Sequence, residues 1–205
     1  MGQKVTETVD ERAVFAEERL RAERDTIMRA AHRLIGRGGG STPIEDILRE
    51  ARVNRRIFYR HFKSKDELIL QMQRLAAGTL GAALRSAVDA AETGRAAAIA
   101  WIDTFLSIGW DERRAREGRT FVAPEVGLVA GIAEALENIH DEHRRILVDA
   151  LSGGVADGSL PASQPERDAF AIHAVVLRCV DMRTRGRLRR PFSDVRDEIV
   201  DLFLP

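Results

Sequence analysis

Proline is absent from Ile44 to Ala123, and throughout that stretch the apolar residues recur three and four positions apart. A proline-free segment with that period can run as long helices and does not suit strands, which need alternation. Glycine and proline collect instead at Gly36–Pro43, around Gly94, at Gly118 and Pro124, at Ser152–Pro165 and at Gly186–Pro191. These clusters divide the chain into helical segments. The alternation that marks a strand never lasts more than a few residues, and no repeat of 20–50 residues is present. The expected fold class is all-α.

Composition narrows the function. The 205 residues are 44% apolar and 31% charged, which suits an ordered chain with a sizeable core. A single cysteine, Cys179, excludes an internal disulfide framework and a cysteine-based zinc site. The longest apolar run, Ala96 to Ile102, falls far short of the ~18 residues that span a bilayer. The first residues, MGQKVTETVDER, carry no apolar stretch of a secretory signal. A cytoplasmic protein without a membrane partner is expected.

Net charge is zero, but its distribution is uneven. Residues 1–18 hold 2 basic and 5 acidic side chains, residues 19–65 hold 13 and 5, and residues 66–205 hold 17 and 22. The basic block alone points to a polyanionic partner. An arginine-rich, solvated helix face is the plainer alternative.

Within that block the helix signals are dense. A first helix is expected over Glu17–Gly36, with Leu20, Ile27, Ala30, Ala31 and Leu34 on one side. Thr42-Pro43-Ile44-Glu45 reads as a capping box opening a short second helix whose face is Ile44, Ile47, Leu48 and Ala51. Asn54 can cap a third helix, Arg55 to Phe62. Ser64-Lys65-Asp66-Glu67 is a second capping box, opening a fourth helix from Lys65 to about Ala90. Further helices are expected near Arg95–Glu117, Glu125–Val155, Glu166–Arg185 and Ser193–Phe203, with Gly118–Pro124 a loop or a short extra helix.

Two short helices joined by a tight turn under a longer one make a helix-turn-helix. Ile47, Ala51, Val53, Phe58 and Phe62 supply an apolar inner face. Arg55, Arg56, Tyr59 and Arg60 supply a polar outer face that can enter a major groove, where arginine forks onto guanine O6 and N7. Tyr59, His61 and Lys65 can hydrogen-bond phosphate, and the start of the fourth helix offers backbone N–H groups. With Thr42 and Asn54, these are the candidate DNA-binding residues.

The run Ile27-x2-Ala30-Ala31-x2-Leu34-Ile35, then Thr42-Pro43-Ile44-Glu45-Asp46-Ile47, then Ala51-x-Val53-x4-Phe58-Tyr59-x-His61-Phe62-x-Ser64-Lys65-x2-Leu68 resembles the amino-terminal domain of the TetR family of bacterial transcriptional regulators. The resemblance covers Arg24–Leu70. It implies about nine helices: a three-helix DNA-binding domain plus a helical-bundle regulatory and dimerisation domain. The implied division is an amino-terminal arm (1–16), the reader (17–65) and the effector-binding and dimerisation domain (66–205). The implied partners are a double-stranded, palindromic operator, a second copy of the chain and a small-molecule effector; the implied action is repression. By the same resemblance the last two long helices pair across the dimer, with Phe170, Val176, Leu177, Val180, Ile199 and Phe203 as interface candidates, burial within the subunit being the alternative. Arg52 stands where relatives usually carry glycine, so a left-handed backbone there carries strain.

In the carboxyl half, Trp101, Phe105, Trp110, Phe121, His173 and Met182 are candidates for an effector pocket, which on this composition is largely apolar; ordinary core is the alternative. His140 and His143 lie three apart in a charged run that reads better as a solvated helix face than as a metal site. Arg183–Arg190, with five arginines, reads as a solvated loop. No cofactor is expected, and neither is enzyme activity, since no nucleophile elbow, phosphate loop or zinc-protease motif is present. The competing function is a helical interaction protein whose basic block binds an acidic partner without reading DNA sequence.

Overall fold

A computed structural model describes residues 3–36, 42–118, 120 and 126–205. Among these the chain forms nine α-helices and one short 3-10 turn, Val126–Leu128, with no strand. In chain order the helices are α1 (Gln3–Gly36), α2 (Ile44–Ala51), α3 (Arg55–His61), α4 (Lys65–Asp89), α5 (Gly94–Trp110), α6 (Glu112–Gly118), α7 (Ile132–Ala156), α8 (Pro165–Thr184) and α9 (Phe192–Phe203). None is long and apolar enough to cross a membrane.

Two apolar clusters organise them. The first joins Ile27, Ala30 and Ala31 of α1 to Ile47 of α2, Phe58 of α3, Phe62, and Leu68, Ile69 and Met72 of α4. Val126, Val129 and Ile132 close it from the carboxyl half. The second joins Leu84 of α4 to Trp101, Ile102, Phe105 and Leu106 of α5, Leu147 and Leu151 of α7, Ile172 and Val176 of α8, and Ile199 of α9. Helix α4 therefore runs through both.

The helix ends show which local signals carried weight. Asn54 caps α3 by accepting from Ile57 N at 3.0 Å. Ser64 caps α4 by accepting from Glu67 N at 3.1 Å, and the Glu67 carboxylate reaches back to Lys63 N at 2.6 Å, so the second box forms. Helix α2 opens at Ile44, one residue later than the first box places it, with Pro43 at the cap position. Helix α1 begins at Gln3, well before the expected Glu17. The helix expected over Arg95–Glu117 breaks at Asp111, whose carboxylate accepts from Arg114 N at 2.8 Å and starts α6. The helix expected from Glu125 begins at Ile132, after the 3-10 turn. Most of Gly118–Pro124 lies outside the described residues.

The far end of the bundle closes on glycine. A Cβ on Gly94 would lie 1.9 Å from Gly154 N, so the start of α5 and the end of α7 meet backbone to backbone. Asp157 accepts from Gly94 N at 2.7 Å and locks the contact.

Candidate DNA-reading face and bundle interior

The reader is built from the inside outward. Ile47, Phe58 and Phe62 are wholly buried, and the Phe58 and Phe62 rings lie 5.6 Å apart. They fix α3 against α1 and α2. The turn between α2 and α3 is made by Arg52, the one non-glycine residue with positive φ among those described, at φ 55 and ψ 39. Val53 N donates to Leu48 O at 3.0 Å and Arg52 N to Arg49 O at 3.2 Å, the pattern of a left-handed helix stop. Glycine would hold this turn without the Cβ penalty, so arginine here costs about 1 kcal/mol.

On this base the eight sequence-nominated DNA residues separate by environment. Arg56 is exposed, and its guanidinium has no partner among the described residues. Tyr59 is 49% exposed, its ring edge-on to Phe58 at 5.3 Å. Arg55 is exposed and paired with Glu45, and Arg60 is exposed and 3.2 Å from Glu23. Exposed pairs of this kind are worth little and exchange readily for a phosphate. Asn54 is committed to its cap, and Thr42 is half-buried ahead of α2. Lys65 opens α4, half-buried.

His61 corrects the sequence reading. Its side chain is only 8% exposed and its Nε2 sits 3.0 Å from Glu23 Oε2. It braces α3 against α1 and does not face outward as a phosphate donor. That hydrogen bond, with Arg60 and Arg19 close by, holds the Glu23 carboxyl below its ordinary range. Glu23 was not singled out from the sequence, although it is one of five acids in a block with 13 basic residues.

The reader is tied to the bundle on two sides. Arg24 donates to Gln71 of α4. Thr120, just past α6, donates to His32 O of α1 at 3.1 Å.

In the bundle, the expected pocket set comes together only in part. Trp101, Phe105 and His173 are buried and adjacent, with ring centroids 5.0–6.0 Å apart. Trp110 stands elsewhere, edge-on to Phe192 at 6.0 Å and beneath the Arg183 guanidinium. Met182 is half-buried near the end of α8. Phe121 lies outside the described residues. His143, expected on a solvated face, is turned inward: it is 3% exposed and its Nε2 donates to Ala77 O at 3.0 Å. The solvated-face reading fails because α4 covers this side of α7. His140 packs against His173 at 5.2 Å. Burial lowers all three histidine pKa values, that of His173 to about 4.

The interface set also divides. Val176, Val180 and Ile199 are buried within this chain, because α8 and α9 both pack on α5. They have no surface left to offer a partner. Phe170 is 63% exposed and Leu177 and Phe203 are half-buried. Leu202, 72% exposed on α9, was not nominated.

Residues 27–72 match the family model described as bacterial regulatory proteins, tetR family. That segment is thus similar to the DNA-binding domain of the tetR family. No curated protein matches the sequence. Solved structures share the fold at low identity. A putative TetR-family transcriptional regulator from Rhodococcus sp. is 17% identical, with 90% of this chain and 100% of that one covered and a TM-score of 0.73. The regulator FadR from Bacillus subtilis, solved with stearoyl-CoA, is 16% identical over 87% and 96% of the two chains, with a TM-score of 0.70. AibR, solved with isovaleryl coenzyme A and operator DNA, is 16% identical over 89% and 98%, with a TM-score of 0.67. The tetR-family resemblance read from the sequence therefore holds for the reader, and the all-helical architecture for the chain.

Proposed function

We propose that this protein is a homodimeric, sequence-specific transcription repressor that binds a palindromic operator through α3 and is released by a small molecule held in the bundle. The carrying observation is the outer face of α3. Arg56 and Tyr59 stand exposed on a helix whose opposite side is locked by buried Phe58, inside a tetR-family domain. Arg56 is the proposed base reader; Arg55, Arg60, Tyr59 and Lys65 are the proposed phosphate contacts.

The dimer joins α8 and α9 to their copies through Phe170, Leu177, Leu202 and Phe203. Two readers then sit about 34–36 Å apart, or a multiple of it, and the operator is a palindrome of matching spacing. Release works through α4, which carries Leu68, Ile69 and Met72 into the reader core and Leu84 into the bundle core. A ligand that favours one placement of α4 favours one reader separation. The proposed division is a reader over 17–65 and an effector and dimerisation domain over 66–205. Structures of FadR with stearoyl-CoA and of AibR with isovaleryl coenzyme A and operator DNA support a ligand-responsive reading.

The test is selection of bound duplexes from a random pool at two salt concentrations. A recovered palindrome with half-sites one turn apart, or a multiple, is the expected result. Binding that enriches no sequence and disappears as salt rises would sink the proposal and favour the basic block as a generic anion surface.

A further inference from the structure

Helix α3 has seven residues, and its two ends are held differently. Asn54 caps the first turn, and buried Phe58 sets the middle. The last turn, which carries Arg60 and His61, is held from another helix. Glu23 of α1 lies 38 positions before His61, and one of its oxygens serves both side chains: Oε2 is 3.0 Å from His61 Nε2 and accepts from Arg60 Nη1 at 3.2 Å. A carboxylate only accepts, so the His61 ring donates from Nε2. Arg19 Nε lies 4.0 Å from the other oxygen. This carboxylate stands inside the block of 13 basic and 5 acidic residues, against the helix proposed to meet DNA.

Two carboxylates touch cations of α3, and they are not equivalent. Glu45, paired with Arg55, is 53% exposed, and that pair can open into solvent as DNA arrives. Glu23 is 21% exposed and tied to His61, whose side chain is 8% exposed. It cannot turn away without stranding the buried ring nitrogen, which is costly. The hydrogen bond from His61, with Arg60 and Arg19 close by, keeps the Glu23 carboxyl ionised at neutral pH. When Arg60 moves to a phosphate, it therefore leaves a fixed negative charge behind it. A pair given up on binding lowers affinity for every duplex alike, because phosphate contacts carry no sequence.

We propose that Glu23 is a positioning residue with two effects on DNA reading: through His61 it fixes the last turn of α3 against α1, and through Arg60 it restrains phosphate binding that is blind to sequence. The inference rests on reading α3 as the DNA-reading helix. It deepens that reading by naming what limits the affinity for duplexes of any sequence. Two substitutions separate the effects. Glutamine keeps an oxygen that accepts from His61 Nε2 but carries no charge to hold Arg60. Alanine removes the acceptor as well.

The experiment measures binding of the full-length chain, of Glu23→Gln and of Glu23→Ala to the operator recovered by selection and to a scrambled duplex of equal length, across a salt series. Glu23→Gln should bind both duplexes about three- to fivefold tighter at low salt, with its thermal midpoint unchanged. Its dependence on salt should be steeper, by up to about one in the slope of log affinity against log salt. Arg60→Ala should cost the Glu23→Gln chain about threefold more affinity than it costs the unaltered chain. Glu23→Ala should narrow the ratio of operator to scrambled affinity, which Glu23→Gln preserves. Unchanged or weaker binding of both duplexes by Glu23→Gln overturns the proposal, and so does an equal cost of Arg60→Ala in the two chains. Neither comparison depends on Glu23→Ala folding. Selection on the unaltered chain separates the two readings. An operator that Glu23→Gln binds no differently removes the role of Glu23 and keeps the DNA reader; a chain that binds no duplex overturns both.

Discussion

Around Phe58 and Phe62 the reader closes on apolar side chains, whose burial needs no hydrogen-bond partner. Farther from the DNA-reading helices, three histidines of α7 and α8 each keep a buried ring nitrogen without a partner among the described residues. Both regions lie under long helices. The difference is that the first interior gains stability from everything it buries, whereas the second gives some of it up. An interior that only has to hold a rigid DNA-reading face can be apolar throughout. An unmatched buried nitrogen costs stability that an apolar side chain in its place would add.

The largest expected effect tests the first half of that contrast. Phe58→Ala removes a fully buried ring from the reader and should cost about 4 kcal/mol. The measurement is denaturant unfolding, with operator affinity lost in parallel; a cost below about 1 kcal/mol would show a reader core looser than described.

Acidification tests the second half. Burial holds the His173 pKa at about 4, against 6.5 for an ordinary histidine. The folded value is the depressed one, so the unfolded chain binds more protons between the two. Stability is complete above pH 6.5 and is lost as pH falls toward 4. His173 alone accounts for about 3 kcal/mol of that loss. His173→Phe should flatten the profile of thermal midpoint against pH; an unchanged profile would mean that the ring is not buried neutral.

Arg56→Ala probes the exposed side of α3 without touching its core. It should cost about 2 kcal/mol in operator binding and relax preference at one or two base positions, with thermal stability unchanged. Equal loss on operator and scrambled DNA would assign Arg56 to phosphate instead.

The smallest effect is at the turn. Arg52→Gly relieves the left-handed arginine and should stabilise the chain by about 1 kcal/mol. A destabilised variant would show that the Arg52 side chain contributes more than its backbone costs.

Much of the reader was legible because its signals are local. Asn54 and Ser64 cap where their spacing says they should, and Phe58 and Phe62 fall on the inner face that the helix period requires. The misreadings concern neighbours distant in sequence. His61 looks like a surface donor until α1 brings Glu23 beside it. His143 sits in a run of charges, and only the packing of α4 against α7 turns it inward. Val176 and Ile199 are apolar on helices that have both an internal and an external apolar side, and the period alone cannot say which side faces a partner. Asp111 starts a new helix two residues after Gly109, which stays inside α5, so the break before α6 carried no cluster of glycine and proline.

The meeting of Gly94 with Gly154 has a mechanical consequence. Two backbones in direct contact, clasped by Asp157, leave no side chain between the start of α5 and the end of α7. That end acts as a fulcrum. Helix α4 ends beside it and reaches about 37 Å back to the reader at 1.5 Å per residue. A tilt of a few degrees at the anchored end therefore becomes a swing of a few ångströms at the other. A lever needs a stiff pivot more than a large force, and here two missing side chains supply it.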